Sequence, residues 1–192
     1  MTVYKILAFI GETGAGKDTL ANSVISADPQ TYKIVSCTTR PKREREVEGV
    51  DYYFLTEPQI KSELQYKNFL ELTSFNNWFY GTRLSDLSKQ RINIGVFNPE
   101  GIRKLLSRKD IDLRVIEVKA DRELRKQRYL ERDSNCDKVE LERRLTADEK
   151  DFSFLGFDRI TLNNNSKEDL EINTQKILRW LKIWRDSEGK KS

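Results

Sequence analysis

The stretch "VYKILAFIGETGAGKDTLANSVISA", residues 3–27, decides the fold. Its first eight residues are mostly apolar, which predicts a buried strand. Residues 18–27 place Leu20, Val24 and Ile25 on one helical face, which predicts a helix. The loop between them carries the residues that a phosphate-binding P-loop requires: Gly11, Gly14, Gly16 and Lys17.

A loop of this kind binds an anion mainly through its backbone. The glycines allow several N–H groups to face one anion, the following helix begins with a positive potential, and the lysine reaches the outer phosphates. We therefore expect a nucleoside triphosphate as the donor in a phosphoryl transfer, with Mg²⁺ between its outer phosphates.

Asp18 departs from the motif, which places a serine or threonine hydroxyl directly after the lysine. Two interpretations stay open. The Asp18 carboxylate, with Thr19 beside it, would offer Mg²⁺ the hard oxygen ligands that this ion prefers. Alternatively, Asp18 only favours the helix N-terminus electrostatically, a contribution of about 0.3–1 kcal/mol.

The composition excludes several classes of protein. The 192 residues contain no histidine, which rules out Ser-His-Asp hydrolases and His-based zinc sites. The 35 basic and 31 acidic residues are mixed along the chain, and with a net charge of +4 we expect no nucleic-acid partner. No apolar segment approaches the roughly 18 residues of a membrane span, so we expect no membrane partner. The two cysteines, Cys37 and Cys136, fit a reducing compartment and predict a cytoplasmic protein.

Strands and helices alternate along the rest of the chain. Predicted strands cover 32–40, 50–55, 93–98, 112–120 and 159–164, and an aromatic strand pair with a turn at Asn76-Asn77 covers 69–82. Predicted helices cover 57–69, 83–92, 99–109, 121–133, 138–152 and 166–186. This alternation predicts an α/β fold with a parallel sheet flanked by helices.

The stretch "SCTTRPKREREVEGVDYYF", residues 36–54, closely resembles the acceptor-binding segment of the guanylate kinase family of P-loop nucleoside monophosphate kinases. In that family a Ser-x-Thr-Thr-Arg-x-x-Arg pattern leads through Glu-Val-x-Gly to Asp-Tyr, and this chain fits it without a gap. Further family blocks are matched by "FLEL" (69–72), "FYGT" (79–82), "RYLER" (128–132) and "RITLNN" (159–164).

The resemblance implies one domain with three parts. These are a core (1–35, 91–121 and 148–186), an inserted lobe for the acceptor nucleotide (36–90), and a helical lid (122–147). It implies transfer of the γ-phosphate of ATP to GMP or dGMP with Mg²⁺. The residues that it assigns to ATP are Gly11, Glu12, Thr13, Gly14, Ala15, Gly16, Lys17, Asp18, Thr19 and Asn163. Those that it assigns to the acceptor are Ser36, Arg40, Arg43, Tyr52, Glu71, Tyr80, Thr82 and Asn98.

The implied reaction needs two polyanions held in line and positive charge around the transferred group. The resemblance implies that Arg40 and Arg43 bind the acceptor phosphate through bidentate contacts, and that the hydroxyls of Tyr52 and Tyr80 bind its remaining oxygens. The lid contains Arg128, Arg132 and Arg144, which would close over the donor phosphates and exclude water. The expected catalytic residues are therefore Lys17, Arg40, Arg43, Arg128, Arg132 and Arg144.

Base choice would rest on Ser36, Glu71, Thr82 and Asn98. A carboxylate can accept from the N1–H and amino group of guanine, whereas adenine offers no N1–H. Where the family has Asp-x-Asp, this chain has Val96 and Asn98, which leaves a broader or deoxynucleotide-tolerant pocket open. If Val96 replaces a carboxylate near the metal, Asp18 would restore that charge from another side.

Two other functions stay open from the sequence. One is a kinase for a different phosphorylated acceptor, such as another nucleoside monophosphate or a ribose phosphate. The other is a non-catalytic guanylate-kinase-like binding module. The complete glycine loop with Lys17 argues against the module, because a scaffold needs no donor site.

Overall fold

The computed structural model describes residues 3–44, 46–75, 77–132 and 138–187 of the chain. The strands are β1 (Tyr4–Ile10), β2 (Thr31–Lys33), β3 (Cys37–Thr38), β4 (Tyr53–Phe54), β5 (Phe69–Phe75), β6 (Trp78–Arg83), β7 (Ile92–Val96), β8 (Ile111–Lys119) and β9 (Ile160–Asn163). The helices are α1 (Lys17–Ala27), α2 (Glu57–Gln65), α3 (Pro99–Leu106), α4 (Arg122–Arg132), α5 (Lys138–Ser153) and α6 (Lys167–Asp186). Cys136 lies outside the described residues.

Two sheets organise these elements. A five-stranded sheet has the order β2-β7-β1-β8-β9, and a four-stranded sheet has the order β4-β3-β6-β5. In the larger sheet, β2 runs parallel to β7 and β8 runs parallel to β9. In the smaller sheet, β6 pairs antiparallel with both β3 and β5. The predicted α/β fold, with a parallel sheet flanked by helices, is confirmed.

Contacts divide the chain into two compact units, of which the first comprises Met1–Ala8 and Gln30–Arg114. It contains the four-stranded sheet with α2 and α3. The helix α2 begins with a capping box, in which Thr56 and Gln59 satisfy each other's backbone N–H groups. The helix α3 lies against β5. Buried apolar side chains of this unit include Ile6, Ile34, Ile60, Leu70, Ile92, Ile94, Ile102 and Leu105.

The second unit comprises Phe9–Pro29 and Val115–Ser192. The helices α1 and α6 pack against each other in it, and α6 buries Ile177, Leu181 and Trp184. A second cluster joins α4 to α5 through the buried side chains of Tyr129, Leu141 and Leu145. Because apolar burial stabilises helix pairs, this cluster fixes α5 against α4.

The predicted helix over 83–92 is wrong. Only residues 84–86 form a short 3-10 turn before the chain enters β7. The buried amide of Asn93 explains the difference, because its Oδ1 accepts from the Ser88 N–H (2.7 Å) and its Nδ2 donates to the carbonyls of Ser88 and Arg91. A side chain therefore takes the backbone groups that a helix would use.

The predicted strand over 32–40 is divided in the structure. Its first part is β2 in the five-stranded sheet, and its second part is β3 in the four-stranded sheet. The predicted strand pair over 69–82 is confirmed as β5 and β6, and Asn77 at its turn has a φ of 63°. Asparagine tolerates this left-handed conformation better than most residues. Asn76 lies outside the described residues.

Across the described ranges, the helices lack the combination of length and apolar composition that a bilayer span needs.

Candidate functional site

The glycine loop between β1 and α1 adopts the conformations for which glycine is suited. Gly14 has a φ of 79° and Gly16, the N-cap of α1, a φ of 88°. A Cβ at Gly14 would overlap the backbone carbonyl of Arg125, and one at Gly16 would overlap the amide of Asn164. Both positions therefore require glycine for backbone conformation and for space.

The carbonyl groups of the loop are held from outside it. Arg125 Nη1 donates to the Thr13 carbonyl (3.5 Å), and Arg128 Nη1 donates to the Gly14 carbonyl (3.4 Å). Asn164 Nδ2 donates to the Ala15 carbonyl (3.1 Å). These three contacts come from α4 and from the residue that follows β9.

Asn163 and Asn164 differ in their surroundings. Asn163, which the sequence assigned to ATP, has an exposed side chain, and its backbone carbonyl accepts from Asn173 Nδ2 (2.7 Å). Asn164 is 3% exposed and lies against the glycine loop. Among the described atoms, its Oδ1 has no hydrogen-bond partner. The role of Asn163 stays a prediction, and Asn164 is a loop contact that sequence reasoning missed.

Lys17, Asp18 and Thr19 form the start of α1. The Lys17 side chain is half-buried, and those of Asp18 and Thr19 are exposed. None of the three side chains has a protein partner among the described residues. The described residues also contain no group of three or more His, Cys, Asp or Glu that could hold a metal ion. Mg²⁺ usually takes one or two carboxylates together with phosphates and water, so the exposed oxygens of Asp18 and Thr19 fit it.

A buried polar network surrounds Glu12 and Thr13 at the beginning of the loop. The Glu12 carboxylate pairs with Arg125 (3.2 Å), and Asp148 of α5 accepts from the Thr13 N–H (2.5 Å). Burial raises the pKa of Glu12, Arg125 opposes that rise, and the negative charge of Asp148 adds to it. The sequence did not indicate Arg125 or Asp148, because neither belongs to a motif and both are distant from the loop along the chain.

The three predicted lid arginines have different surroundings. Arg128 of α4 donates to the Asn164 carbonyl (2.9 Å) in addition to Gly14. Arg144 of α5 lies over the Tyr129 ring, with its Cζ 5.8 Å from the centroid. The side chain of Arg132, at the end of α4, lies outside the described part of the structure. Arg128 is therefore in contact with the glycine loop.

In the first unit, Arg40 and Arg43 share one carboxylate. Arg40 is 7% exposed and pairs with Glu46 through Nη2 (2.6 Å), while its Nη1 donates to the Pro41 carbonyl (2.7 Å). The Arg43 N–H donates to the other Glu46 oxygen (2.8 Å), and its guanidinium lies 3.7 Å from the carboxylate. Burial alone would raise the pKa of Glu46, but the contacts from Arg40 and Arg43 outweigh it and lower that pKa.

Two tyrosines lie beside Arg40. The rings of Tyr52 and Tyr80 meet edge to face, with centroids 6.1 Å apart, and the Arg40 Cζ lies 5.5 Å from the Tyr52 centroid. Both side chains are half-buried. The structure thus brings together the two hydroxyl-bearing rings and the guanidinium that the sequence assigned to the acceptor phosphate.

Glu71 and Thr82 are neighbours across the β5–β6 pair, and both are buried. Burial raises the pKa of Glu71 to about 7, against the hydrogen bonds from Thr82 and the charge of nearby Lys104. The Thr82 hydroxyl lies 3.4 Å from that of Ser36. The structure therefore brings together three of the residues that the sequence assigned to the acceptor base.

Asn98 adjoins this group as the N-cap of α3. Its Oδ1 accepts from the Gly101 N–H (2.7 Å), and its Nδ2 donates to Thr73 Oγ1 (2.8 Å). A Cβ at Gly101 would lie 3.3 Å from the Glu71 carboxylate. The Asn98 amide is therefore engaged in holding the start of α3 next to Glu71.

Comparisons with known proteins agree on one family. The guanylate kinase family model matches residues 4–179. The chain is 31% identical to the guanylate kinase of Helicobacter pylori over 174 residues, which cover 88% of this chain and 84% of that relative. It is 34% identical to that of Synechococcus elongatus over 95 residues. In that comparison the chain spans about half the length of the relative, 51%, and the match uses 50% of this chain.

Solved structures show the same fold. The crystal structure of guanylate kinase from Anaplasma phagocytophilum has a TM-score of 0.68 at 21% identity, covering 95% of this chain and 87% of that one. A sugar kinase from Janibacter sp. HTCC2649 has a TM-score of 0.50 at 15% identity, covering 94% and 95%. At these identities the likeness concerns the fold alone. The family match over 4–179 and the Helicobacter pylori relative decide the assignment: the chain belongs to the guanylate kinase family.

Proposed function

We propose that this protein transfers the γ-phosphate of ATP to GMP or dGMP and so forms the diphosphate. The observation that carries the proposal is the buried Glu71 carboxylate, held beside the Thr82 and Ser36 hydroxyls in a chain of the guanylate kinase family. Guanine presents an N1–H and an amino group that such a carboxylate accepts together. Adenine lacks the N1–H and would leave the buried group poorly paired.

The donor would bind at the glycine loop. Its backbone N–H groups and the start of α1 provide a site for phosphate oxygens, and Lys17, half-buried and without a protein partner among the described residues, would reach the outer phosphates. Mg²⁺ would neutralise charge on these phosphates. We propose that Asp18 and Thr19 supply oxygens to it, directly or through water.

The acceptor phosphate would bind at Arg40, Arg43, Tyr52 and Tyr80. An arginine has five N–H donors, and in Arg40 two guanidinium nitrogens are directed to Glu46 and the Pro41 carbonyl. The remaining donors can face a phosphate while Glu46 keeps the guanidinium in place. We propose that three lid arginines bind the donor phosphates: Arg128, Arg132 and Arg144. Closure of the lid over these phosphates would exclude water from the reaction.

The test is ADP release from ATP and Mg²⁺ with a panel of ribo- and deoxynucleoside monophosphates. We expect turnover with GMP and dGMP, and none above background with AMP, CMP or UMP. Lys17→Ala should reduce the rate to background, because the outer phosphates lose their cation. An Asp18→Asn arm tests the metal proposal, which predicts that more Mg²⁺ is needed for half-maximal rate.

Each opposite result has a distinct meaning. Equal turnover with several bases would make the protein a broader monophosphate kinase. ATP binding without turnover on any acceptor would favour a binding module or a different acceptor. An unchanged Mg²⁺ requirement in Asp18→Asn would contradict the role of Asp18 at the metal.

The cytoplasmic location remains a prediction from cysteine content.

A further inference from the structure

Three successive carbonyl groups of the glycine loop are bound by donors outside it. Arg125, Arg128 and Asn164 hold the carbonyls of Thr13, Gly14 and Ala15, at 3.5, 3.4 and 3.1 Å. In a planar trans peptide the carbonyl and the next N–H point in opposite directions. Holding the Thr13 and Ala15 carbonyls outward therefore turns the N–H groups of Gly14 and Gly16 inward, which is the orientation that an anion-binding loop needs. The Ala15 N–H, which follows the Gly14 carbonyl, donates to the Glu12 carbonyl (3.1 Å) instead.

Arg125 differs from the other two donors because it also forms an ion pair with a carboxylate of the loop, that of Glu12. Arg125 is 3% exposed, and its side chain contacts three groups: the Ala120 carbonyl (3.2 Å), the Thr13 carbonyl and the Glu12 carboxylate (3.2 Å). The guanidinium is therefore engaged with the protein itself. None of the family blocks matched in the sequence includes this position.

The carboxylates around Arg125 explain why a positive charge is needed at the beginning of the glycine loop. Glu12 stands inside the loop motif, and the buried Asp148 carboxylate binds the Thr13 N–H from α5. Two further charges act on the Glu12 carboxylate: Glu149 of α5 raises its pKa and Lys119 of β8 lowers it. Burial and the charge of Asp148 both raise the pKa of Glu12, and Arg125 lowers it, so the charge of Arg125 offsets the repulsion between these two carboxylates. A donor polyphosphate bound at this loop would add further negative charge nearby.

We propose that Arg125 is a positioning residue of the phosphate loop: it keeps the Thr13 carbonyl turned outward and neutralises Glu12 beside the donor polyphosphate. It does so without being a ligand of the phosphates. The proposal rests on the proposed function only in taking ATP as the donor, because the loop geometry suits phosphate groups and concerns no particular acceptor.

A double-mutant cycle on the full-length protein tests this assignment. Binding of ATP and of inorganic tripolyphosphate is measured by calorimetry, without acceptor, for the wild type, Arg125→Gln, Glu12→Gln and the double variant. We expect Arg125→Gln to weaken both ligands at least tenfold, because Glu12 is left unbalanced. The double variant no longer carries the Glu12 charge and should bind both ligands within threefold of the wild type, the remaining loss being that of the Arg125 contact with the Thr13 carbonyl. In steady-state assays the KM for ATP should rise in Arg125→Gln while the KM for GMP changes less than twofold.

Arg122→Gln is the matched control. Arg122 is on the same helix, is half exposed and pairs with Glu142 (3.3 Å) and Glu149 (3.5 Å) of α5, but it makes none of the contacts with the carbonyls of the glycine loop described above. Its loss removes the same charge from α4 and should change ATP binding less than twofold. An equal loss in Arg122→Gln and Arg125→Gln would show a general charge effect and overturn the proposal.

Failure of the proposal is separable from failure of the proposed function. If Arg125→Gln weakens ATP and the double variant does not recover, Arg125 is a phosphate ligand and the positioning role is wrong. If the Arg125→Gln protein shows no cooperative thermal transition, it is not folded and the double variant alone tests the proposal. A double variant that binds ATP more than tenfold more weakly than the wild type would then contradict it. Wild type that binds tripolyphosphate but never phosphorylates GMP would overturn only the proposed function. Wild type that binds neither polyphosphate would overturn both.

Discussion

At the scale of single residues, Glu71 links the proposed binding of guanine to pH. Its carboxyl is buried between β5, Thr82 and the start of α3, where the charged form loses most of its hydration. Burial raises its pKa from the ordinary 4.5 to about 7. The free protein therefore keeps Glu71 partly protonated near neutrality, and a guanine that donates two N–H groups favours the ionised form.

This shift predicts a pH-dependent stability. Between pH 4.5 and pH 7 the folded protein holds a proton that the unfolded chain has released, so the free energy of unfolding falls as pH rises through this window. One pKa unit corresponds to about 1.4 kcal/mol, so the loss is on the order of 1–3 kcal/mol. Urea unfolding at pH 5 and pH 8 should show this loss in the wild type and not in Glu71→Gln. Identical pH slopes for the two proteins would contradict the assignment.

The same residues show what the sequence could predict about the site. Glu71, Thr82 and Arg40 were predicted because they belong to ordered family blocks, and the structure brings them to the expected neighbours in their unit. Arg125 and Asp148 were not predictable, because they meet Thr13 from 112 and 135 positions along the chain. Only the packing of α4 and α5 brings them there.

At the scale of elements, the start of α3 depends on Asn98. Its side chain caps the helix at Gly101 and ties it to Thr73 of β5. The same helix begins with Pro99, whose missing N–H costs nothing at this position. A residue assigned by the sequence to base reading is thus engaged in fixing the element beside Glu71.

We expect Asn98→Ala to lower the free energy of unfolding by about 1 kcal/mol, the usual effect of losing an N-cap. Asn98→Asp keeps a cap oxygen for Gly101 and should recover more than half of that loss. Urea unfolding of the three proteins at one pH provides the measurement. An Asn98→Ala variant as stable as the wild type would show that the cap contributes little to stability.

Element boundaries mark the limit of sequence prediction. The strand and helix around the glycine loop were predicted correctly because hydrophobic period and motif agree there. The segment 83–92 has helical spacing, but Asn93 binds its backbone groups, and such a tertiary contact leaves no local pattern. The segment 32–40 is uniformly strand-like, so nothing local shows that it changes from one sheet to the other.

At the scale of the whole molecule, the family assignment and the placement of the residues support the proposed transfer of phosphate from ATP to GMP or dGMP. One unit contains the glycine loop with Lys17, and the other contains Glu71 with the arginines and tyrosines assigned to the acceptor. The division into core 1–35, 91–121 and 148–186, lobe 36–90 and lid 122–147 remains a prediction. If water is excluded from the site, the γ-phosphate should be transferred to the nucleotide acceptor and not to water.

The most direct measurement follows the label of [γ-³²P]ATP in the presence of Mg²⁺ and GMP. The account predicts that the label appears in the β-phosphate of GDP, with inorganic phosphate a minor product, and that Lys17→Ala abolishes both. Label that appears only as inorganic phosphate, at a rate unaffected by GMP, would contradict the proposal that this protein is a GMP kinase.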